Sequence, residues 1–317
     1  MEEKKRLIII DSNSVIHRAY HALPPLTTKK GELVNAVYGF LLVFLKVIRE
    51  FQPDYITACF DFPGPTIRHK KFKEYKAKRP PAPEELYKQI PKVKEVLEVF
   101  GVSIFEKEGF EADDIIATIS NLAPRKQVLP KIETTILSGD LDTLQLINPQ
   151  TKVYALRKGV KDTVLYDESF VKERYQGLTP EQLLDFKALR GDPSDNIPGV
   201  TGIGEKTAIR LLSEFGSMEN LYQEIEENSE KVRKIKPKLK EVLVKYKEQA
   251  FISKDLVDLR KDVPIDFNLE KCRWGEYEEE KVVQVFKNFD FYSLIKRLSE
   301  IKRQDKNESI GRNLKLW

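Results

Sequence analysis

A chain of 317 residues that is 41% apolar and 33% charged describes a globular protein of one composite domain or two closely packed ones, and excludes a disordered polymer. The net charge of +4 is too small to name a partner, so the local gathering of acids and cations is what informs. The only cysteines, Cys59 and Cys272, lie far apart, and Cys59 falls in an apolar strand pattern, which favours a buried thiol in a reducing cytosol over a disulfide.

Only a short apolar run, Leu7 to Ile10, precedes Asp11, too little for a signal peptide. The longest apolar stretch, 33–48, contains Asn35 and Lys46 and falls short of a membrane span. Both features point to a cytoplasmic protein. Residues 6–11 (RLIIID) read as a central parallel strand closing on an acid. Helical patterns follow to about Leu23 and over 34–51. Residues 55–61 (YITACFD) form a second strand that again closes on an acid. A helix over 86–100, a strand over 102–106, a helix over 112–122 and a strand over 134–138 continue the alternation. This pattern predicts an α/β fold with a mostly parallel central sheet flanked by helices. Beyond about residue 172, helical patterns at 180–190, 205–215, 217–227 and 237–247 predict a second module. The expected division is a core over 1–172, a helical module over 173–300 and a flexible tail over 301–317.

Ligands of open parallel sheets gather beyond the carboxyl ends of the strands. Asp11 and Asp61 stand at such ends, and Asp140 and Asp142 follow a third strand. Glu111, Asp113 and Asp114 open a helix, and Asp192 and Asp195 occupy the loop GDPSDN. Each motif alone has an ordinary explanation, as turn chemistry or as acids suited to a helix N-terminus. Together, nine carboxylates aimed at one sheet edge would repel one another unless counter-charged. Hard divalent ions with oxygen ligands supply that charge, and two magnesium ions with an outer shell fit the number of acids, with manganese as a substitute. The three histidines, His17, His21 and His69, form no cluster with cysteine, which disfavours zinc. No Walker loop is present, and Asp11-Ser12-Asn13 lacks the second acid of a D-x-D phosphatase signature. Two ions against a phosphate describe phosphodiester hydrolysis.

Residues 68–79 (RHKKFKEYKAKR) interleave Arg68, Lys70, Lys71, Lys76 and Arg79 with Phe72 and Tyr75. Such a run is often only a solvated helix face. Cations among aromatics, directly after Asp61, also suit a single strand of nucleic acid, with phosphates on the cations and bases on the rings. Residues 199–208 (GVTGIGEKTA) read as a tight turn entering a helix. Gly202 and Gly204 would let a backbone phosphate approach, and Lys206 adds charge.

These motifs closely resemble the 5′ nuclease family, which includes the 5′–3′ exonuclease domain of bacterial DNA polymerase I, phage 5′ nucleases and flap endonucleases. The matching residues are Phe60-Asp61 with Arg68-His69 and Tyr75-Lys76, then Glu111-Ala112-Asp113-Asp114, and 191–208. The resemblance runs from about Leu7 to about Leu298. It implies that Asp11, Asp61, Glu111, Asp113, Asp114, Asp140, Asp142, Asp192 and Asp195 bind metal; of these, Asp11, Asp113, Asp114 and Asp140 are expected to matter most to the chemistry, and Asp192 and Asp195 to serve mainly a second, looser ion. It implies a helical arch over 63–85 that admits a 5′ strand, with Tyr75, Lys76 and Arg79 facing substrate and Arg18 near the metals. It further implies a helix–three-turn–helix around Gly202 and Gly204 that grips duplex DNA and holds a potassium ion. Ile67 and Phe72 depart from the family's usual aromatics, and the loop 123–131 looks longer than usual. No proofreading or polymerase domain follows, which leaves a stand-alone exonuclease or an excised domain, expected to act as a monomer. The tail 313–317 (NLKLW) resembles the short peptides that bind a sliding clamp, and an apolar end docking on its own domain explains it equally well.

The expected activity is structure-specific cleavage of DNA at the junction of a duplex and a 5′ strand. The alternatives are a junction-binding protein without catalysis, which the full set of acids disfavours, and a related ribonuclease, which the glycine turn disfavours.

Overall fold

The computed structural model describes residues 4–123 and 131–301. The peptide 313–317 and most of the loop 123–131 lie outside the described residues. Six strands, β1 (Lys4–Asp11), β2 (Tyr55–Cys59), β3 (Ser103–Phe105), β4 (Lys131–Ser138), β5 (Thr151–Lys158) and β6 (Asp162–Tyr166), make one sheet in the order β3-β2-β1-β4-β5-β6. All neighbours pair in parallel except β5 with β6. The alternation of a strand explains how β1 feeds two cores at once: Ile8 and Ile10 enter one cluster, Leu7 and Ile9 the other. The first cluster lies beneath α1 (Ser12–Ala22) and α2 (Asn35–Phe51), whose apolar residues give the long buried run expected over 34–51. The helices α3 (Ile67–Lys71), α4 (Glu84–Tyr87) and α5 (Ile90–Val99) follow, and α6 (Ala112–Leu122) covers the opposite face.

After the short α7 (Glu168–Arg174), a helical module is built from α8 (Gln182–Arg190), α9 (Glu205–Phe215), α10 (Met218–Glu227), α11 (Glu230–Arg233), α12 (Pro237–Lys245) and α13 (Lys247–Val257), around a third core. The chain then returns to the sheet. Leu259, Val263, Phe267 and Leu269 join the core behind α6, and residues of α14 (Glu279–Asn288) with Leu294, Leu298 and Ile301 join that of α2. Residues 259–301 thus pack on the cores of the sheet and not on the third core.

Two expectations need correction, and one hairpin lies outside them. The antiparallel hairpin of β5 and β6 has no counterpart among the elements expected from sequence. The helix expected over 86–100 is broken into α4 and α5 at Lys88 and Gln89. The segment 63–85 is no continuous helical arch: only Ile67–Lys71 and Glu84–Tyr87 are helical, joined by turns and the prolines Pro80, Pro81 and Pro83, which cannot continue a helix. Cys59 and Cys272 are both buried free thiols, and no helix among the described residues is long and apolar enough to cross a membrane.

Candidate active site

The carboxyl edge of the sheet opens into a pocket of about 400 Å³. Its walls carry Asp11 from the end of β1, Asp61 beyond β2, Glu111 and Asp113 from the start of α6, Asp140 and Asp142 beyond β4, and Asp195 from the loop after α8. Asp11 doubles as the cap of α1, accepting from the Ser14 N–H at 3.2 Å. The Ser138 hydroxyl donates to Asp11 and accepts from the Asp140 N–H at 2.8 Å, tying β1 to β4. Asp61 accepts from the Ala112 N–H at 2.8 Å, which sets β2 against the first turn of α6. The Gly139 N–H donates to Ser14 Oγ at 2.6 Å, an approach a Cβ at Gly139 would obstruct.

The acids divide by their surroundings. Among the described residues no Lys or Arg forms an ion pair with Asp11, Asp61, Asp113 or Asp140. Burial pushes the Asp11 carboxyl up to about 7, helped by repulsion from Asp140 and Asp61, although the Ser138 hydrogen bond opposes the shift. Burial and repulsion from Asp11, Asp140 and Asp142 hold Asp113 well above the usual carboxylate range. Asp61 is more open to solvent, yet desolvation at the pocket wall raises it too, against the hydrogen bond from Ala112 and the charge of Lys76. These shifts record carboxylates facing one another across a shared space.

The remaining acids carry internal counter-charges. Lys76 pairs with Glu111 at 2.8 Å, Arg79 pairs with Asp195, and Lys187 bridges Asp142 and Asp192. Asp192 is held down at about 2: burial opposes ionisation, but Lys187 and hydrogen bonds from Ser194 outweigh it. Asp114 is fully buried and absent from the pocket wall. It accepts both terminal nitrogens of Arg68 at 2.7 Å, and the backbone N–H groups of Glu111 at 3.2 Å and Arg260 at 2.9 Å. Its place among the metal-binding acids is thus not borne out by its position.

The basic segment also differs from its expectation. Arg68, expected on DNA, is 3% exposed and spends its donors on Asp114 and on the carbonyls of Leu256 and Asp258. Tyr75, expected to stack on substrate, is 3% exposed, packs into the core of the helical module and donates its hydroxyl to Glu111 at 3.0 Å and Asp195 at 3.2 Å. Phe72 packs against the same core. Lys76 and Arg79 do line the pocket. Lys70 and Lys71 are exposed, Lys71 against Asp255. Arg18 lines the pocket and donates to the carbonyl of Gly139 at 3.0 Å, leaving its charge unpaired by any carboxylate among the described residues. In the glycine turn, Gly202, Gly204 and Lys206 lie at the surface or close to it, and a Cβ added to either glycine would meet no atom within 4 Å. Gly199 instead presses on Gly191, where a Cβ would sit 2.2 Å from the backbone nitrogen.

Two participants are not evident from sequence. Lys187 lies within an ordinary amphipathic helix, and nothing in its spacing announces its acidic partners. His17, on α1 three residues beyond Ser14, lines the pocket, and burial with repulsion from His21 lowers its pKa.

The donor set facing the pocket is dominated by carboxylate oxygen, which suits a hard divalent cation. Among the described residues no three His, Cys, Asp or Glu side chains are drawn together closely enough to enclose an ion as they stand. The fit is therefore one of donor chemistry and a shared pocket.

The N-terminal, resolvase-like domain of the 5′-3′ exonucleases matches residues 6–176, and the C-terminal SAM fold of the same family matches 178–280. DNA polymerase I of Bacillus subtilis is 43% identical over 300 residues, covering 95% of this chain and 33% of the relative; that of Bacillus caldotenax is 41% identical over 295 residues, covering 93% and 32%. The chain thus spans about a third of the length of these curated relatives. Among solved structures, the phage T5 5′-exonuclease with bound divalent metal ions (zinc) has a TM-score of 0.66 at 21% identity, covering 80% of this chain and 90% of that one. The catalytic core of Rad2 in complex with DNA substrate has a TM-score of 0.56 at 20% identity, covering 94% and 92%. These likenesses share the fold, and the two family matches, continuous across the sheet and the helical module that build the pocket, establish that the chain belongs to the 5′-3′ exonuclease family.

Proposed function

We propose that this chain is a divalent-metal-dependent 5′ nuclease that cleaves DNA at the junction of a duplex with a 5′ single strand. The observation that carries the reading is the set of four carboxylates, Asp11, Asp61, Asp113 and Asp140, that face one pocket with no Lys or Arg in ion-pair contact with them among the described residues. A pure DNA binder gains nothing from uncompensated negative charge beside a polyanion. Asp11, Asp61, Asp113 and Asp140 would hold a first magnesium ion, and Asp142, Asp192 and Asp195 with Glu111 a second. When bound, such ions neutralise the phosphate, activate water and stabilise the leaving oxygen.

The chain's own residues do the rest. Ser138 and Ser14 fix Asp11 and Asp140 in register across two strands. Lys76, Arg79 and Arg18 present cations at the same pocket for the phosphate backbone. The turn at Gly202 and Gly204, with Lys206, offers backbone N–H groups to duplex phosphates and carbonyls to a potassium ion. The divalent metal ions of the T5 structure and the DNA substrate of the Rad2 structure agree with this reading. We further read the tail 313–317 as a peptide for a sliding clamp, which a pull-down with and without those residues tests, and the cytoplasm as the site of action.

A 5′-labelled flap substrate, assayed with magnesium and with EDTA beside matched RNA and hairpin controls, decides the main reading. Magnesium-dependent cleavage near the flap junction is expected. Metal-independent cleavage, preference for RNA, or binding without cleavage would each overturn it.

A further inference from the structure

Lys187 leaves α8 one turn before its end, and its ammonium does not run to solvent. It donates to Asp142 Oδ1 and, at 2.9 Å, to Asp192 Oδ2, with its side chain 18% exposed. Burial disfavours its charge, but the two carboxylates outweigh that and raise its pKa. The acids come from separate elements: Asp142 follows β4 and lines the pocket, whereas Asp192 lies in the loop after α8. Both oxygens lie within a hydrogen bond of one atom, so a single cation, directly or through one water, can span them. Asp142 also donates its N–H to Asp140 at 2.9 Å, which places this bridge beside the acids that lack a counter-charge.

We infer that Lys187 is an exchangeable counter-ion: its ammonium occupies the place of a divalent cation between Asp142 and Asp192, and an ion enters there only as Lys187 swings out. This role rests on the metal-dependent reading above. Its consequence is two classes of metal site on the free protein. The acids around Asp11 and Asp113 bind without competition. The Lys187 position fills only at higher metal concentration, because the ion must displace a charge already in place.

The opposite role is equally definite. A partner that merely orients metal ligands, when removed, lowers metal affinity by roughly 10- to 100-fold. A competitor, when removed, raises it.

The test is a titration of the full chain, without DNA, with manganese counted as bound and free ion and with magnesium followed by calorimetry and melting temperature. Wild type is expected to show a tight and a weak class of sites. Lys187→Met should move the weak class to about ten-fold lower metal concentration and leave the tight class in place, whereas Lys187→Arg should keep the wild-type pattern. Lys187→Gln, which keeps a donor without the charge, should behave as Met does and guards against a Met variant that folds poorly. Weakened or unchanged binding of the second class in both neutral variants would overturn the counter-ion role. Absence of metal binding in the wild type itself would instead overturn the reading on which it rests.

Discussion

Arg68 donates hydrogen bonds of 2.7 Å to both carboxylate oxygens of Asp114, and neither side chain is more than 4% exposed. The pair fastens the segment after Asp61 to the first turn of α6, and further donors from Arg68 reach the carbonyls of Leu256 and Asp258 at the end of α13. One buried pair thus joins the basic segment, the acidic helix and the helical module.

Breaking that pair leaves an uncompensated buried charge. Arg68→Ala should lower stability by roughly 3–5 kcal/mol, and Arg68→Lys should recover little of it, since an ammonium cannot match the two-pronged geometry. As a metal ligand, Asp114 changed to Asn would lose cleavage at unchanged stability with DNA binding preserved. As the buried partner of Arg68 it should lose stability first. Denaturant unfolding of Asp114→Asn beside Asp113→Asn separates these cases, and an unchanged midpoint for Asp114→Asn would return it to the metal site.

Asp113 and Asp140 have the opposite character, lining the pocket with no Lys or Arg paired to them among the described residues. Replacing either with Asn removes repulsion from the metal-free protein, so the fold should hold or gain stability. Cleavage in magnesium should fall by roughly 100- to 1,000-fold, the usual cost of one preorganised electrostatic group. Mobility shifts with EDTA should show DNA binding intact or tightened. Wild-type activity in either variant would contradict the assignment.

The Asp11 carboxyl, held up at about 7 mainly by burial, predicts an unusual pH response. Between about pH 4 and 7 the folded metal-free protein keeps a proton that the unfolded chain has released, so the free energy of unfolding falls as pH rises. The contribution is fully present below the unfolded value and lost above the folded one. Asp11→Asn cannot show it. In EDTA, the melting temperature of Asp11→Asn relative to wild type should therefore climb from about pH 5 to about pH 8. A flat difference would show that Asp11 titrates normally.

Much of this architecture is legible in the sequence because its signals are local. The run Leu7 to Ile10 names a central strand, and the acids that close β1 and follow β2 do stand at one sheet edge. What the sequence hides are matters of pairing. Arg68 and Asp114 stand 46 residues apart, and both read as functional charges until their mutual burial is seen. Tyr75 reads as a stacking ring, yet its surroundings come from the third core, which no local pattern reveals. The return of 259–301 to the sheet is equally hidden, since Leu259 and Phe286 look like any core residues and nothing local says which core.

Lys76 and Arg79 rest on Glu111 and Asp195, so phosphate must compete with those acids for both cations. Lys76→Ala and Arg79→Ala should weaken binding of a 5′-flap substrate and lower the salt slope by about 0.9 for each phosphate that is no longer neutralised. Cleavage at saturating DNA should fall less than cleavage at limiting DNA. Unchanged salt slopes would confine both residues to internal pairing.

The glycine turn supplies two substitutions with opposite outcomes. Gly199 has φ +61, and a Cβ there would meet the Gly191 nitrogen at 2.2 Å, so Gly199→Ala must push apart the backbone that joins α8 to α9. It should destabilise the helical module, read as an early unfolding transition. Gly204 has φ −95 at the start of α9 and open space around its Cβ position. Gly204→Ala should cost only about 0.5–1 kcal/mol, since alanine is a poorer helix cap than glycine. If duplex phosphate approaches this exposed backbone, the added methyl should still weaken duplex binding, measured by fluorescence anisotropy. Duplex affinity equal to wild type in a stable Gly204→Ala would move the duplex-binding surface away from this turn.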